Sequence, residues 1–107
     1  MAQEITLTEA HQQWQQQDAA TVFVDIRDSQ SFAQAHIPGA QPLNNDNVAQ
    51  FIQSTAASTP IVVVCYHGIS SHQAADVLEQ QGLTQVASMQ GGFTAWQAQF
   101  PNDTTGS

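Results

Sequence analysis

A run of four apolar, β-branched residues, Ile61–Val64, directly precedes Cys65, the single cysteine of the chain. Such an uninterrupted run is typical of a strand that is buried on both faces, as the strands of parallel sheets are. A loop containing Gly68 follows, and then the apolar spacing of a helix. The sequence therefore predicts a strand, loop and helix unit in which Cys65 lies at the carboxyl end of the strand and faces the N-terminus of the helix.

Strand-like and helix-like patterns alternate along the rest of the chain. Strands are predicted near residues 5–7, 21–26, 40–43, 61–65 and 85–89, and helices near residues 8–17, 29–35, 45–53, 71–80 and 93–100. Thr8 is the expected N-cap of the first helix. Because helices that connect successive strands favour parallel pairing, we predict an α/β fold, an open, mostly parallel five-stranded sheet with helices on both faces. Ligands of such folds bind beyond the carboxyl ends of the strands.

Length and charge narrow the class of protein. A chain of 107 residues has room for one domain, here residues 1–101, and we expect the polar residues 102–107 to form a frayed tail. Nine acidic residues against the single basic residue Arg27 give a net charge of −8, which disfavours binding to nucleic acid or to anionic membranes. No apolar run could cross a bilayer and no signal-peptide pattern is present, so we expect a cytoplasmic protein.

The predicted position of Cys65 suits the binding of an anion. Backbone N–H groups and the dipole at a helix N-terminus lower the pKa of a thiol and favour a negative substrate. Gly68 permits a tight turn whose N–H groups point inward. Ser70 and Ser71 add hydroxyl donors, and we expect one of them to be the N-cap of the helix. A lone cysteine after a valine run is also often a small core residue, so position alone leaves that alternative open.

Phosphate chemistry is the main competitor of sulfur chemistry at such a loop. Loops like those of tyrosine phosphatases and arsenate reductases place an arginine six positions after the cysteine, where its guanidinium binds the oxyanion. This chain has Ser71 at that position, which argues against a phosphatase. No metal site is predicted, because Cys65 and the four histidines match no zinc spacing. A Cys–His–Asp hydrolase fits the composition but has no supporting local signature.

Three sequence blocks resemble the signatures of the rhodanese family, and within it those of the small single-domain thiosulfate sulfurtransferases of the GlpE type. The first block comprises residues 24–28, Phe32 and residues 36–40. The second is residues 65–68 with the two serines at 70 and 71, and the third is residues 91–93 with Trp96. Each block alone is weak, but their order and spacing over nearly the whole chain, about residues 5–101, make the resemblance strong.

The resemblance implies a sulfurtransferase that carries sulfur as a persulfide on the catalytic Cys65. Substrate binding is expected from backbone N–H groups and side chains of the loop, namely Tyr66, His67, Gly68, Ile69, Ser70, Ser71 and His72. No metal and no organic cofactor is expected, because the sulfur is carried covalently. The expected partners are thiosulfate as donor and cyanide or a thiol as acceptor, the thiol being a small molecule or a thioredoxin-like protein. We expect a monomer or a weak homodimer.

Residues of the first block are expected to support the fold. Asp25 and Arg27 alternate at a strand end and face the same side, where we expect the guanidinium to make structural ion pairs, with substrate contact as the alternative. His36 is expected to fix the following turn by a side-chain hydrogen bond. Phe93 and Trp96, three residues apart, are expected in the core, with stacking against a ligand as the alternative.

Two loop positions depart from the GlpE-type pattern. Ile69 replaces a residue that is usually polar, and His72 replaces a residue that is commonly basic. His72 can attract a dianionic substrate only when it is protonated. The alternative function is therefore a sulfur carrier or interaction module that takes sulfur from a protein persulfide, with little thiosulfate activity, and an acidic surface would suit a basic partner. A catalytically silent domain is a third alternative, against which the intact Cys65 argues.

Overall fold

The computed structural model describes residues 3–16 and 21–106. Within these ranges five strands alternate with five α-helices. The strands are β1 (Gln3–Ile5), β2 (Val22–Asp25), β3 (Gln41–Pro42), β4 (Ile61–Val64) and β5 (Val86–Met89). The helices are α1 (Leu7–Gln15), α2 (Ser29–Gln34), α3 (Val48–Ser54), α4 (Ser70–Gln80) and α5 (Gly92–Gln99), followed by a 3₁₀ helix (Pro101–Asp103). The predicted last residue of the first helix, at 17, lies outside the described residues.

The five strands form one sheet in the order β1-β5-β4-β2-β3, and each of these pairings is parallel. The predicted α/β fold, with a five-stranded parallel sheet and helices on both faces, is therefore confirmed. The central strand β4 is in register with β2, so that Asp25 is opposite Val64. Cys65 consequently leaves the sheet at the same carboxyl edge as the chain that leads to Arg27.

Strand β4 is packed against helices on both sides, which explains its unbroken apolar sequence. Val62 and Val64 belong to one apolar cluster, which also contains Trp96 of α5. Ile61 and Val63 belong to a second cluster, which contains Ala75 and Leu78 of α4. Successive side chains of a strand point to opposite faces, so both faces of β4 have to be apolar. Full burial of each such side chain stabilises the fold by about 1.5–3 kcal/mol.

The N-terminal elements begin earlier than predicted. Strand β1 ends at Ile5, and Leu7, predicted to end that strand, is the first residue of α1. The N-cap is Thr6, so the prediction of Thr8 was wrong. The Thr6 side chain accepts from the backbone N–H of Glu9, and the Glu9 carboxylate accepts from the backbone N–H of Thr6. This capping box requires a threonine three residues before a glutamate, a spacing that Thr8 lacks.

Residues 102–106 contact the rest of the domain, although residues 102–107 were expected to fray; residue 107 lies outside the described residues. Thr105 forms an isolated antiparallel bridge with His36, and the indole N–H of Trp96 donates to the carbonyl of Asp103. The Asp103 carboxylate lies 2.8 Å from Nε2 of His11 on α1. These polar contacts hold the segment against α1 and α5, and local composition could not predict them because their partners are remote in sequence.

The start of α5 is packed against the backbone that follows β4. The N–H groups of Phe93 and Thr94 donate to the carbonyls of Cys65 and Tyr66, at 2.7 and 3.0 Å. Gly92 has a φ of +61°, and a Cβ atom there would lie 2.5 Å from the carbonyl oxygens of Cys65 and Tyr66. Only glycine permits this approach, because any side chain would push the backbone segments apart.

We predict that Gly92→Ala destabilises the protein more than Gly39→Ala does. Gly39 also has a positive φ, of +87°, but a Cβ atom there would meet nothing within 4 Å. The Gly39 variant therefore reports backbone strain alone, about 1–3 kcal/mol. Gly92→Ala adds a steric clash of about 1–3 kcal/mol. Urea unfolding measures both losses, and equal losses would contradict the close packing of α5 on the loop.

Candidate active site around Cys65

The sulfur of Cys65 accepts hydrogen bonds from the backbone at the start of α4. Cys65 follows β4 directly and is 3% exposed. The N–H of Gly68 lies 3.1 Å from Sγ, and the N–H of Ser71 lies 3.3 Å from it. The N-cap of α4 is Ile69, which provides no side-chain cap, so the prediction that Ser70 or Ser71 is the N-cap was wrong. The sulfur therefore accepts from a helix N–H group that an N-cap side chain would otherwise satisfy.

A chain of hydroxyl groups continues from the sulfur into the core. Ser71 Oγ lies 3.2 Å from Cys65 Sγ and 2.6 Å from Oγ of Ser88 on β5. Both serines are fully buried. Ser71 was predicted from the sequence as a residue of the site, and Ser88 was not. The available signal was a single polar residue in the short apolar strand β5, on the same side of the strand as the core residue Val86.

Two opposing effects act on the pKa of the Cys65 thiol. Burial raises this pKa, because the thiolate loses its hydration. Hydrogen bonds from the Ser71 hydroxyl and from the backbone N–H groups of Ser71, Gly68 and His67 outweigh burial and bring the pKa below the ordinary value of 9.0. The arrangement thus favours the thiolate, which is the nucleophilic form of cysteine.

The cysteine loop, residues 65–71, turns its backbone toward the sulfur. Its exposed side chains are those of Tyr66, His67, Ile69 and Ser70. Gly68 has a φ of +85°, and a Cβ atom there would lie 2.8 Å from the backbone nitrogen of Gly91. The turn that aims N–H groups at Sγ therefore requires glycine at position 68. Ile69 is 77% exposed, and its apolar side chain leaves these backbone donors in place.

Arg27, the sole arginine, is engaged within the fold. Its Nε and Nη2 atoms lie 3.0 and 2.8 Å from the two carboxylate oxygens of Asp25. Nη2 also donates to the carbonyl of Ala35 at 2.6 Å, and the guanidinium lies 4.2 Å from the ring centre of Phe93. The Arg27 side chain is 5% exposed. With Nε and Nη2 directed at these partners and the side chain buried, the guanidinium braces the first sequence block.

Tyr66 connects the cysteine loop to α2. Its hydroxyl donates to the carboxylate of Asp28, the N-cap of α2, and lies 2.7 Å from the hydroxyl of Ser31. The hydrogen bonds from Tyr66 and Ser31 lower the pKa of Asp28 from 3.8 to about 2. Asp28 is therefore a carboxylate at neutral pH. Its negative charge is hydrogen-bonded to the cysteine loop through the exposed side chain of Tyr66.

The histidines make separate contacts. Nε2 of His72 lies 3.0 Å from the Glu4 carboxylate on β1, and both side chains are substantially exposed. His36 Nδ1 lies 2.7 Å from the carbonyl of Phe32 in α2, and its ring stacks on the Phe32 ring. Its side-chain hydrogen bond is therefore made to the preceding helix and not, as predicted, to the following turn. His67 is an exposed residue of the loop. A protonated His72 would therefore share its charge with Glu4, which weakens its attraction for an anionic substrate.

An open cavity of about 570 Å³ lies beside the end of β2. Its lining combines apolar side chains such as Leu43 and Val77 with the carboxylates of Asp28 and Asp46. Within residues 3–16 and 21–106, no three His, Cys, Asp or Glu side chains converge on a point that could hold a metal ion. No helix in these ranges combines the length and apolarity needed to cross a membrane.

Comparison with known proteins identifies the family. The rhodanese-like domain matches residues 6–99, so the chain belongs to the family of rhodanese-like domains. The solution structure of the rhodanese-like domain of the Anabaena sp. Alr3790 protein is similar, with 25% identity and a TM-score of 0.87 over 100% of this chain and 81% of that chain. The predicted resemblance to the rhodanese family is confirmed, and specificity for thiosulfate stays a prediction.

Two further solved structures have the same fold. A rhodanese-like domain protein from Staphylococcus aureus is 24% identical, with a TM-score of 0.76 over 88% of this chain and 90% of that chain. A Rhodopseudomonas palustris protein of unknown function, named as a possible tyrosine phosphatase, is 25% identical, with a TM-score of 0.78 over 92% of this chain and 81% of that chain. Because this fold is shared so widely, the chemistry has to be argued from the site.

We predict that Tyr66→Phe raises the pKa of Asp28 from about 2 toward 3.8, because the largest stabilising hydrogen bond of the carboxylate is lost. The folded-state pKa is depressed, so ionised Asp28 stabilises the fold above pH 3.8, and this stabilisation is lost as the pH falls through about 2. The Tyr66→Phe variant should lose part of this stabilisation above pH 3.8. An NMR titration of the Asp28 carboxyl carbon measures the shift, and an unchanged midpoint would refute the assignment.

Proposed function

We propose that this protein transfers sulfane sulfur from thiosulfate to a thiol or to cyanide through a persulfide on Cys65. The observation that carries the proposal is a single buried thiol, with a lowered pKa, surrounded by the N–H donors of Gly68 and Ser71. The Cys65 thiolate attacks the outer sulfur of thiosulfate and forms an S–S bond. The bond between the two thiosulfate sulfurs breaks, and sulfite leaves with the electron pair. Cys65 then carries the outer sulfur as a persulfide.

The second step returns the enzyme to its starting state. A thiolate acceptor attacks the outer sulfur of the persulfide and becomes a persulfide itself, while the Cys65 thiolate leaves. Cyanide reacts in the same way and becomes thiocyanate. Because the first product, sulfite, leaves before the acceptor reacts, ping-pong kinetics are predicted. No metal and no organic cofactor enters the proposed steps, because each is a displacement at sulfur.

Stabilisation of the persulfide is assigned to the backbone of the cysteine loop. We propose that N–H groups from Tyr66 to Ser71 bind the anionic outer sulfur in the way an oxyanion hole binds oxygen. The hydrogen bonds of Phe93 and Thr94 to the carbonyls of Cys65 and Tyr66 support this role. They hold those carbonyl oxygens on the α5 side, so that the loop N–H groups are free to face the sulfur.

Sulfur transfer fits the site better than phosphoryl transfer does. A phosphate dianion in a loop of this type needs a guanidinium at position 71, where this chain has a buried serine. Arg27 is a poor substitute for it, because its buried side chain uses Nε and Nη2 on Asp25 and Ala35. A persulfide carries a single charge on a polarisable atom. Backbone N–H donors alone are therefore better suited to a persulfide than to a phosphate dianion.

A second candidate function is a sulfur carrier that receives sulfur from a protein persulfide. The favouring observation is the local charge: Asp28 is ionised beside Tyr66, and His72 is paired with Glu4. These carboxylates oppose the capture of free thiosulfate dianion. The cavity lined by Asp28 and Asp46 would suit a basic segment of such a partner. Steady-state rates with thiosulfate and with a protein persulfide donor would separate the two candidates.

The remaining expectations belong to the same proposal. We propose a cytoplasmic location, where reducing conditions keep a single thiol free. We further propose that the protein acts as a monomer or a weak homodimer, without nucleic acid or membrane as a partner.

We predict that incubation with thiosulfate adds one sulfur atom, about 32 Da, to the intact protein, since persulfide formation is the first covalent step. Mass spectrometry of the unreduced chain measures the gain. Cys65→Ser is the matched control and should stay at its unmodified mass. One equivalent of sulfite should be released in the same reaction. A wild-type protein that gains no mass and releases no sulfite would refute thiosulfate as the donor.

We predict that His72→Lys lowers the KM for thiosulfate by about fivefold, because a permanent charge near the loop is worth roughly 1 kcal/mol in water. Gln73→Lys is the control, since it adds the same charge at the next position of α4. A smaller effect of the control would assign the gain to position 72. If neither variant changes KM, the backbone donors alone bind the anion.

A further inference from the structure

Three buried side chains from three elements form a chain of short contacts. Cys65 Sγ, after β4, lies 3.2 Å from Ser71 Oγ on α4, and Ser71 Oγ lies 2.6 Å from Ser88 Oγ on β5. Cys65 is 3% exposed, and both serines are 0% exposed. The contact between the two hydroxyls is short enough for a strong O–H···O hydrogen bond.

Ser88 is placed for this contact by the sheet. It pairs with Val63 of β4, and paired residues of neighbouring strands point to the same face. That face packs on α4, where Ser71 lies in the first turn. Within the described part of the protein, the Ser88 hydroxyl has Ser71 Oγ as its one hydrogen-bond partner. A buried hydroxyl in an apolar strand is costly unless such a partner exists.

The row of contacts from Cys65 through Ser71 to Ser88 holds three hydrogens when the cysteine is a thiol and two when it is a thiolate. In the thiol form, the sulfur and both hydroxyls carry one hydrogen each, and the two contacts can use only two of the three. One buried donor is then left without an acceptor among these three side chains, which is unfavourable. In the thiolate form two hydrogens fill two contacts: Ser88 donates to Ser71, and Ser71 donates to the sulfur. The departing thiol proton is released to water.

We propose that Ser88 is a positioning residue of the sulfur-transfer site, whose hydroxyl donates to Ser71 Oγ and thereby directs the Ser71 hydrogen toward the Cys65 sulfur. The proposal rests on the function proposed above in that the thiolate is taken as the reactive form. The hydroxyl of Ser71 needs such a device because it can rotate about its C–O bond, whereas the N–H groups of Gly68 and Ser71 have fixed directions. Ser88 acts on the sulfur through Ser71 and does not touch it.

Other ionisable groups around the sulfur stay unchanged when Ser88 is replaced. Strand β5 and helix α5 carry no ionisable side chain. Glu4 of β1 pairs with Ser88 across the sheet and contacts His72. The groups on the other surrounding segments are Asp25, Arg27, Asp28, Tyr66, His67, His72, Asp76 and Glu79. A difference between the wild type and a Ser88 variant in the titration of Cys65 therefore reports the hydroxyl chain.

The test is the rate of alkylation of Cys65 by iodoacetamide as a function of pH, which is specific because the chain has one cysteine. Ser88→Ala should raise the midpoint of the profile by about 0.4 to 1 pH unit, the effect of one modest hydrogen bond. Ser71→Ala should raise it by at least as much. Ser70→Ala, at a neighbouring exposed hydroxyl, is the matched control and should leave the midpoint in place. An unchanged midpoint in Ser88→Ala would overturn the proposal.

The double variant separates positioning from simple packing. If Ser88 acts through Ser71, the double variant Ser71→Ala with Ser88→Ala should have the midpoint of Ser71→Ala alone. Additive shifts would contradict the proposal. Ser88→Thr keeps a hydroxyl and should retain a midpoint closer to wild type than Ser88→Ala does. Urea unfolding of each variant verifies that it is folded, and loss of stability without a shift of the midpoint would mean a structural role only.

Alkylation does not require sulfur transfer, so this experiment and the thiosulfate experiment can fail separately. A shifted midpoint in a protein that thiosulfate does not load would support the hydroxyl chain and refute thiosulfate as the donor. Loading by thiosulfate with an unshifted midpoint would refute the role of Ser88 and leave the proposed function standing.

Discussion

The arrangement of the backbone around Cys65 is the feature on which the rest of the site depends. The first N–H groups of α5 bind the carbonyls of Cys65 and Tyr66, and the N–H groups of Gly68 and Ser71 bind the sulfur. The loop thus directs two carbonyls toward α5 and two N–H groups toward the sulfur, and buried backbone groups require partners of this kind. The loop can hold an anion without any charged side chain, because its polarity comes from the helix start and from oriented amides.

Among the described residues, the charged side chains around this loop do not place a free positive charge beside the proposed anion site. The sole guanidinium is buried against Asp25, and the carboxylate of Asp28 is bound to the loop through the Tyr66 hydroxyl. A buried pair of this kind braces the fold, since loss of either partner would leave an uncompensated charge. Under the proposed function, the site would therefore distinguish among anions by the geometry of its N–H donors and by the size of the bound atom. A singly charged sulfur anion suits such a site better than a phosphate dianion does.

Sequence patterns predicted the sheet and the position of the cysteine because both depend on local information. The run Ile61–Val64 marks a doubly covered strand, and the glycine after Cys65 marks a tight turn before a helix. The first helix start was misjudged because Thr6 and Thr8 are both reasonable caps, and the geometry of the capping box decided in favour of Thr6. The contacts of residues 102–106 were missed because their partners lie on remote elements.

What the sequence by itself determined is the order of elements, the placement of Cys65 at a strand end, and the absence of an arginine at position 71. These follow from hydrophobic period, turn residues and residue identity, which act over a few positions. Tertiary structure decided which groups meet the sulfur and which do not. Ser88 reaches Ser71, Tyr66 reaches Asp28, and His72 turns to Glu4, because parallel pairing and helix packing bring together residues up to 68 positions apart. No local pattern encodes such contacts, since they depend on the register of strands and the seating of helices on the sheet.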